Sequence, residues 1–172
     1  MMHKCNKAFT LVELLAVIII LGVLLIIAIP SVTKYIEDSR KEVYVQSANG
    51  YVESVKAMIT SREISTKRKD TTYYIPIDLI KIENGGDSPY GNWLEAYVVV
   101  IYEDSEYQYF WTSIDDTGHK IELKNIENIT TADIIIDSTK TLNNSISIGS
   151  RDKIYTLKED GTFDEKAPLN YY

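Results

Sequence analysis

The chain has 172 residues, with 25 acidic against 18 basic side chains and a formal net charge of −7. This acidic balance makes it a poor general binder of nucleic acids or anionic membranes, which attract basic surfaces. Its length suits one globular domain plus an additional segment, and a single cysteine, Cys5, excludes a disulfide within the chain.

Residues 8–29 form a largely apolar run that carries one charged side chain, Glu13. A helix of this length crosses a hydrocarbon core of about 30 Å, because each residue adds about 1.5 Å. Lys4 and Lys7 precede the run, and it ends in Ala28-Ile29-Pro30 without an Ala-x-Ala cleavage site. The pattern therefore predicts a membrane anchor and argues against an ordinary cleaved secretory signal.

The carboxylate of Glu13 is unusual in such a segment. A charge at the centre of a membrane helix costs about 2.5–3.5 kcal/mol, so an intramembrane acid indicates a functional role with a partner. The alternative is that Glu13 lies in the first helical turn and extends to the lipid headgroups.

The residues around Glu13 also form a motif. A short polar leader and the small residue Ala8 precede the string Phe9-Thr10-Leu11-Val12-Glu13. This arrangement resembles the class III signal of type IV pilins and pseudopilins, although Gly is the usual residue where Ala8 stands. Gly22 and Pro30 fall where similar pilins place a glycine and a proline. The resemblance is specific over Ala8–Pro30 and only architectural beyond it.

The resemblance implies a processing and assembly route. A prepilin peptidase would cut between Ala8 and Phe9 and methylate the new Phe9 amine. The mature chain would wait as a single-pass protein of the cytoplasmic membrane. A membrane assembly platform with its cytoplasmic ATPase would then extract it into an extracellular fibre of copies of itself and other pilins. Phe9, Glu13, Gly22 and Pro30 would be the assembly residues.

The same resemblance suggests a partner for Glu13. A free α-amino group has a reference pKa of about 7.7–8.0, so a processed Phe9 would be cationic at neutral pH. Within a fibre core, Glu13 of one subunit would pair with the Phe9 amine of a neighbour. Pairing offsets the cost of burying each charge, so the pair would set the register between subunits.

Pro30 divides the predicted helical region. It lacks an N–H, so the carbonyl of Ile26 loses its helical partner. Gly22 also has a low helix propensity. The helix between Gly22 and Pro30 would therefore either lose its helical structure in a fibre or contain a static kink at the proline. We expect Ser31 to cap a new helix start. An amphipathic helix then follows over residues 31–62, with an apolar stripe at Val32, Ile36, Val43, Ala48, Val52, Val55 and Ile59.

The remaining residues, 63–172, predict an antiparallel sheet. The turn-rich stretch Asn84–Asn92 connects helix and sheet, and Pro76 predicts that Thr72–Ile77 is an edge strand. Ala96–Tyr102 and Tyr107–Ile114 read as a hairpin. Further strand candidates are His119–Leu123, Ile134–Ile136, Ser145–Ile148 and Lys153–Leu157, with a turn at Glu159–Gly161. The predicted fold class is α+β, with a long N-terminal helix packed on an antiparallel β-meander head.

Motifs that would indicate catalysis are missing from the sequence. It contains no Gly-x-Ser-x-Gly elbow, Walker loop, His-Glu-x-x-His or paired-cysteine site. We predict that His119 is a surface residue at a strand edge. Two acidic groups offer oxygen ligands for calcium without EF-hand spacing, and the preferred interpretation is no metal. These groups are Asp115, Asp116 and Glu122, and separately Asp104 and Glu106.

The sequence therefore predicts a cleaved leader (1–8), a membrane or fibre-core helix (9–30), an amphipathic helix (31–62) and a head (63–172). The predicted function is that of a structural subunit, without enzymatic activity or cofactor. The alternatives are a pseudopilin of a type II secretion or DNA-uptake machine, and a minor pilin acting as an adhesive or DNA-binding tip. The basic cluster of Arg62 and Lys67–Lys69 reads as a solvated loop, and nucleic-acid binding is not expected.

Overall fold

A computed structural model describes residues 9–64, 71–80, 82, 86–142, 154–157 and 163–166. It contains one α-helix, α1 (Leu11–Thr60), and one antiparallel sheet. The strands are β1 (Thr72–Pro76), β2 (Trp93–Glu103), β3 (Glu106–Asp115), β4 (His119–Asn125), β5 (Ile135–Ile136), β6 (Ile154–Leu157) and β7 (Phe163–Lys166). The chain divides into two compact units, residues 1–39 and 40–172.

In the first unit, α1 runs through Pro30 without a break. The prediction that Ser31 caps a new helix was wrong. Its hydroxyl donates to the carbonyl of Ile27, one turn earlier, at 3.4 Å. A proline removes one backbone hydrogen bond, and a helix tolerates this loss where side-chain hydroxyls and neighbouring groups restore the bonding.

In the second unit, residues 40–60 of α1 cover one face of the sheet. The buried positions of the helix are Tyr44, Ala48, Tyr51, Val52 and Val55. The predicted stripe was right at Ala48, Val52 and Val55. It was wrong at Val32 and Ile36, which lie in the first unit and are 54% and 46% exposed, and at Val43, which is 43% exposed. At Val43 the larger rings of Tyr44 and Tyr51 occupy the buried face instead.

The sheet has the strand order β5-β4-β3-β2-β1-β6-β7. Strands β1 to β5 follow one another as a meander, which confirms the predicted α+β class, and β6 and β7 join on the other side of β1. The predicted hairpin is confirmed, with a two-residue turn in which Asp104 (φ 49°) and Ser105 (φ 70°) are left-handed. The candidates Ser145–Ile148 and Glu159–Gly161 lie outside the described residues.

Strand β1 is an interior strand, so the prediction of an edge strand was wrong. It pairs with β2 along its whole length, and with β6 only over Thr72–Tyr74. Pro76 faces Tyr97 of β2 beyond the last β6 pair. A proline has no N–H to donate to a ladder, and the pairing described at this position is with β2.

A buried polar network joins the helix to the sheet. The hydroxyl of Tyr44 lies 3.1 Å from the Ser113 hydroxyl and donates to the carbonyl of His119 at 3.1 Å. The indole of Trp111 donates to the same Ser113 oxygen at 2.8 Å. Burial raises the pKa of Tyr44, so its hydroxyl stays protonated at neutral pH. The network satisfies polar groups that burial would otherwise penalise.

The opposite face of the sheet is also buried at its centre. Its core comprises Tyr74, Tyr97, Val99 and Tyr155, with Phe110 packed against them. Tyr107, Tyr109 and Trp111, which alternate along β3, belong to the helix-facing core instead. Successive residues of β2 and β3 thus enter different cores, as expected for strands buried on both faces.

The turn between β3 and β4 is fixed by the buried carboxylate of Asp115. This side chain accepts hydrogen bonds from the hydroxyls of Ser88 and Thr117, both at 2.6 Å, and from the His119 amide at 3.0 Å. Ser88 belongs to the loop before β2, so the carboxylate fastens that loop to the turn. Gly118 completes the turn with φ 92° and lies against the backbone of Asp137.

Two glycines provide a matched test of this packing. A Cβ at Gly118 would lie 2.5 Å from the Asp137 carbonyl oxygen, whereas a Cβ at Gly50 in α1 would meet nothing within 4 Å. We expect Gly118→Ala to destabilise the fold by about 1–3 kcal/mol. Gly50→Ala should stabilise it by about 0.5–1 kcal/mol. Urea unfolding of the detergent-solubilised chain, followed by tryptophan fluorescence, measures both. Equal changes in the free energy of unfolding of the two variants would contradict the described turn.

A second prediction concerns acid stability. The ammonium of buried Lys120 lies 2.8 Å from Asp137, and hydrogen bonds from Lys120 and Thr139 hold the pKa of Asp137 at about 2. Because this pKa is depressed below the usual value of about 3.9, the ionised Asp137 stabilises the fold above pH ~4. That contribution is lost as the pH falls towards 2.

Asp137→Asn should therefore lower stability at neutral pH and reduce the loss of stability between about pH 4 and pH 2. Unfolding midpoints measured across that range test the expectation. The exposed residue Asp38 supplies a control in Asp38→Asn. An unchanged acid profile in Asp137→Asn would show that the pair with Lys120 does not contribute.

Candidate functional site

The candidate functional site is the N-terminal part of α1, within the first unit. Helix α1 begins at Leu11, directly after Thr10, and its first turn contains Glu13 as the acidic residue. The carboxylate oxygen Oε2 of Glu13 accepts from the backbone amide of Thr10 at 2.9 Å and from its hydroxyl at 2.8 Å. The amide of Glu13 donates back to the Thr10 hydroxyl at 3.3 Å.

These reciprocal bonds form a capping box. Thr10 is the N-cap, and Glu13 is the third helical residue that closes the box. The partners expected for Glu13 from the sequence were a neighbouring amine or the lipid headgroups. The partner within the chain was missed, although the spacing Thr-x-x-Glu is a recognised sequence signal for this cap.

The capped carboxylate keeps capacity for another donor. Both bonds from Thr10 end on Oε2, and an ionised carboxylate offers about four acceptor positions. Phe9, the residue before the cap, is 85% exposed. Ala8, the other predicted processing residue, lies outside the described residues.

The helix surface that follows the cap is apolar on every side. From Leu11 to Ile29 each large apolar side chain is exposed, for example Ile18 at 55% and Ile26 at 74%. A helix that is apolar all round requires a membrane or a packed protein environment. This segment of α1 is long and apolar enough to cross a membrane, which fits a membrane-anchored precursor.

Gly22 and Pro30 lie in the same apolar segment. A Cβ at Gly22 would meet nothing within 4 Å, so packing within the subunit does not require glycine there. Pro30 lies inside the helix and cannot donate to the carbonyl of Ile26. Just after it, the hydroxyl of Thr33 donates to the carbonyls of Ile29 and Pro30, both at 3.0 Å.

Three of the acidic residues considered as calcium ligands make contacts within the fold of the second unit. Asp115 holds the β3–β4 turn, Asp116 accepts from the side chain of Asn92 at 2.9 Å, and Glu122 lies 2.6 Å from Lys120. In the part of the chain that the structure describes, no group of three or more His, Cys, Asp or Glu residues lies close enough to hold a metal ion.

His119 is not the surface residue that the sequence predicted. Its side chain is 13% exposed, and its ring stacks on Tyr90 with centroids 3.6 Å apart. The Nδ1 atom lies 2.7 Å from the Thr117 hydroxyl. The loop before β2 supplies Tyr90, and sequence reasoning could not place that loop against the start of β4.

Comparison with known proteins agrees with this site. Residues 3–29 match the family described as the prokaryotic N-terminal methylation motif. Residues 3–29 therefore carry a type IV pilin-like N-terminal signal, which confirms the resemblance drawn from Ala8–Pro30.

In addition, 59 residues of the chain are 36% identical to the ComG operon protein 3 homolog of Bacillus licheniformis. The alignment covers 34% of this chain and 57% of that relative, so the chain spans little more than half of the relative's length. No solved structure matches the chain significantly.

Proposed function

We propose that the protein is a structural subunit of a type IV pilus-like surface fibre, assembled through its N-terminal helix. The observation that carries the proposal is a helix apolar on every side with one capped carboxylate in its first turn. Such a surface is stable only against lipid or against similar helices. It therefore suits a subunit that moves from a membrane into a fibre core.

In this proposal residues 1–8 are a leader that prepilin peptidase removes, and residues 9–30 form the membrane and fibre-core helix. A membrane platform with its cytoplasmic ATPase drives assembly with copies of the chain and other pilins. The protein has no enzymatic role. Before assembly it is a single-pass protein of the cytoplasmic membrane, and afterwards it is extracellular.

The capping box suggests how the Glu13 carboxylate can be accommodated both in a membrane and in a fibre core. In lipid, Thr10 supplies two donors to the carboxylate, which lowers the cost of a charge near the membrane. In a fibre, the remaining acceptor capacity would take the methylated Phe9 amine of a neighbouring subunit. The carboxylate would thus keep its cap while it gains the intersubunit ion pair.

The main alternative is a pseudopilin of a secretion or DNA-uptake machine. The similarity to the ComG operon protein 3 homolog supports an assembly subunit of this general kind. A minor pilin with an adhesive or DNA-binding tip is the third possibility, and most of its basic cluster, Lys67–Lys69, lies outside the described residues. Mass spectrometry of sheared surface fibres separates an abundant subunit from a minor one.

The first prediction from this function concerns processing. Cleavage after the small residue Ala8 should leave N-methyl-Phe9 as the mature terminus. N-terminal peptide mass spectrometry of membrane and fibre fractions measures it. Retention of Met1 or Met2 on fibre-associated protein would refute the assignment as a processed pilin.

A second prediction separates the two roles of Glu13. Glu13→Gln keeps a residue able to close the capping box but removes the charge, and Glu13→Val removes both. Losing one partner of a buried ion pair costs about 3–5 kcal/mol, roughly a 150-fold or greater loss per contact. We expect both variants to lose fibres while their membrane-bound level is unchanged or higher.

The matched control is Thr10→Val, which removes the cap but keeps the carboxylate. Loss of an N-cap costs about 1 kcal/mol, so this variant should retain most of its fibres. The measurement is the yield of sheared fibre relative to membrane-bound subunit. Wild-type yield from Glu13→Gln would mean that capping alone explains Glu13, and the pairing mechanism would be abandoned.

A further inference from the structure

The polar residues just after Pro30 do not end the lipid-compatible surface of the helix. The hydroxyl of Ser31 donates to the carbonyl of Ile27, and that of Thr33 donates to the carbonyls of Ile29 and Pro30. A hydroxyl whose hydrogen is used inside the helix needs no water, so it is tolerated in hydrocarbon. The lipid-compatible stretch therefore extends to Thr33.

Lys34 and Tyr35 are the first residues after that stretch that require a polar surrounding. The side chain of Tyr35 is 75% exposed, and Lys34 is also exposed. A tyrosine ring combines an apolar body with a polar hydroxyl and is enriched at membrane–water interfaces. The apolar stem of a lysine can lie along hydrocarbon while its ammonium contacts the headgroups.

The spacing along α1 supports the same assignment. From Glu13 to Lys34 the helix rises about 32 Å, at about 1.5 Å per residue. A hydrocarbon core is about 30 Å thick. Glu13 with its cap and the Lys34–Tyr35 pair are therefore separated by one membrane thickness, and the helix needs little tilt to match it.

We propose that Lys34 and Tyr35 form an interfacial anchor that binds phospholipid headgroups on the side of the membrane opposite Glu13. This anchor sets the depth of the subunit in the membrane before assembly. The inference rests on the proposed function, since it requires the precursor to span a membrane. It adds a specific binding surface and a ligand class, the phospholipid headgroup.

Spin-label depth measurements on the full chain test the anchor. In a Cys5→Ser background, single labels are placed through Leu21→Cys, Val32→Cys or Glu42→Cys, which leaves Lys34 and Tyr35 intact. The protein is reconstituted in vesicles of phosphatidylethanolamine and phosphatidylglycerol. Collision with oxygen, which concentrates in lipid, is compared with collision with a water-soluble nickel complex.

The expected result is a gradient along α1. The label at position 21 should be accessible to oxygen and protected from nickel, and the label at 42 should show the reverse. The label at 32 should lie between them, just inside the hydrocarbon edge. Water-like accessibility at position 21 would refute the membrane-spanning precursor, and with it the proposed function.

Substitutions at the anchor supply the decisive comparison. Replacing both residues, Lys34→Leu with Tyr35→Leu, joins Ile36 to the apolar run and lengthens it by three residues, about 4.5 Å. The label at 32 should then move deeper by about that distance. Tyr35→Trp, which keeps an interfacial aromatic ring, should leave the depth unchanged. If the double leucine variant leaves position 32 at its original depth while position 21 stays in lipid, the anchor is refuted and the membrane span is not.

Discussion

The constraint on which this protein depends is that polar groups on an apolar helix must find their partners within the chain. Thr10 satisfies Glu13 at the start of α1, and the hydroxyls of Ser31 and Thr33 return to backbone carbonyls after Pro30. Because these groups do not depend on water, the same helix surface suits both hydrocarbon and packed protein. Under the proposed function, transfer from a membrane to a fibre core would then require little rearrangement of the helix itself.

In the second unit, buried polar groups join the elements that carry them. The hydroxyl of Ser113 contacts both Tyr44 and Trp111, and the carboxylate of Asp115 connects Ser88 to the turn after β3. Buried hydrogen bonds of this kind are costly to break singly, because the remaining partner is left unsatisfied. They therefore fix where the helix and the loop before β2 lie on the sheet.

Much of this arrangement follows from local sequence. The long helix, the β2–β3 hairpin and the N-terminal motif were predicted because periodicity, turn composition and motif spacing are local signals. Two of the errors have non-local causes. Pro76 suggested an edge strand, but β6 pairs with Thr72–Tyr74 of the same strand, and His119 was expected at the surface, but its ring stacks on Tyr90. The capping box of Thr10 and Glu13 is also a local signal, but it was not predicted because Glu13 was interpreted only as a charge in a membrane segment.

The pairing of β1 with β6 has a consequence for the order of folding. Tyr74 of β1 pairs with Tyr155 of β6, so β1 completes its hydrogen bonding only after a strand some eighty residues later in the chain has been synthesised. Contacts of such long sequence separation form slowly and after local ones. The meander from β1 to β5 can therefore assemble first, with one edge of β1 open until β6 has been synthesised. A chain truncated before β6 would expose that edge and be prone to aggregation.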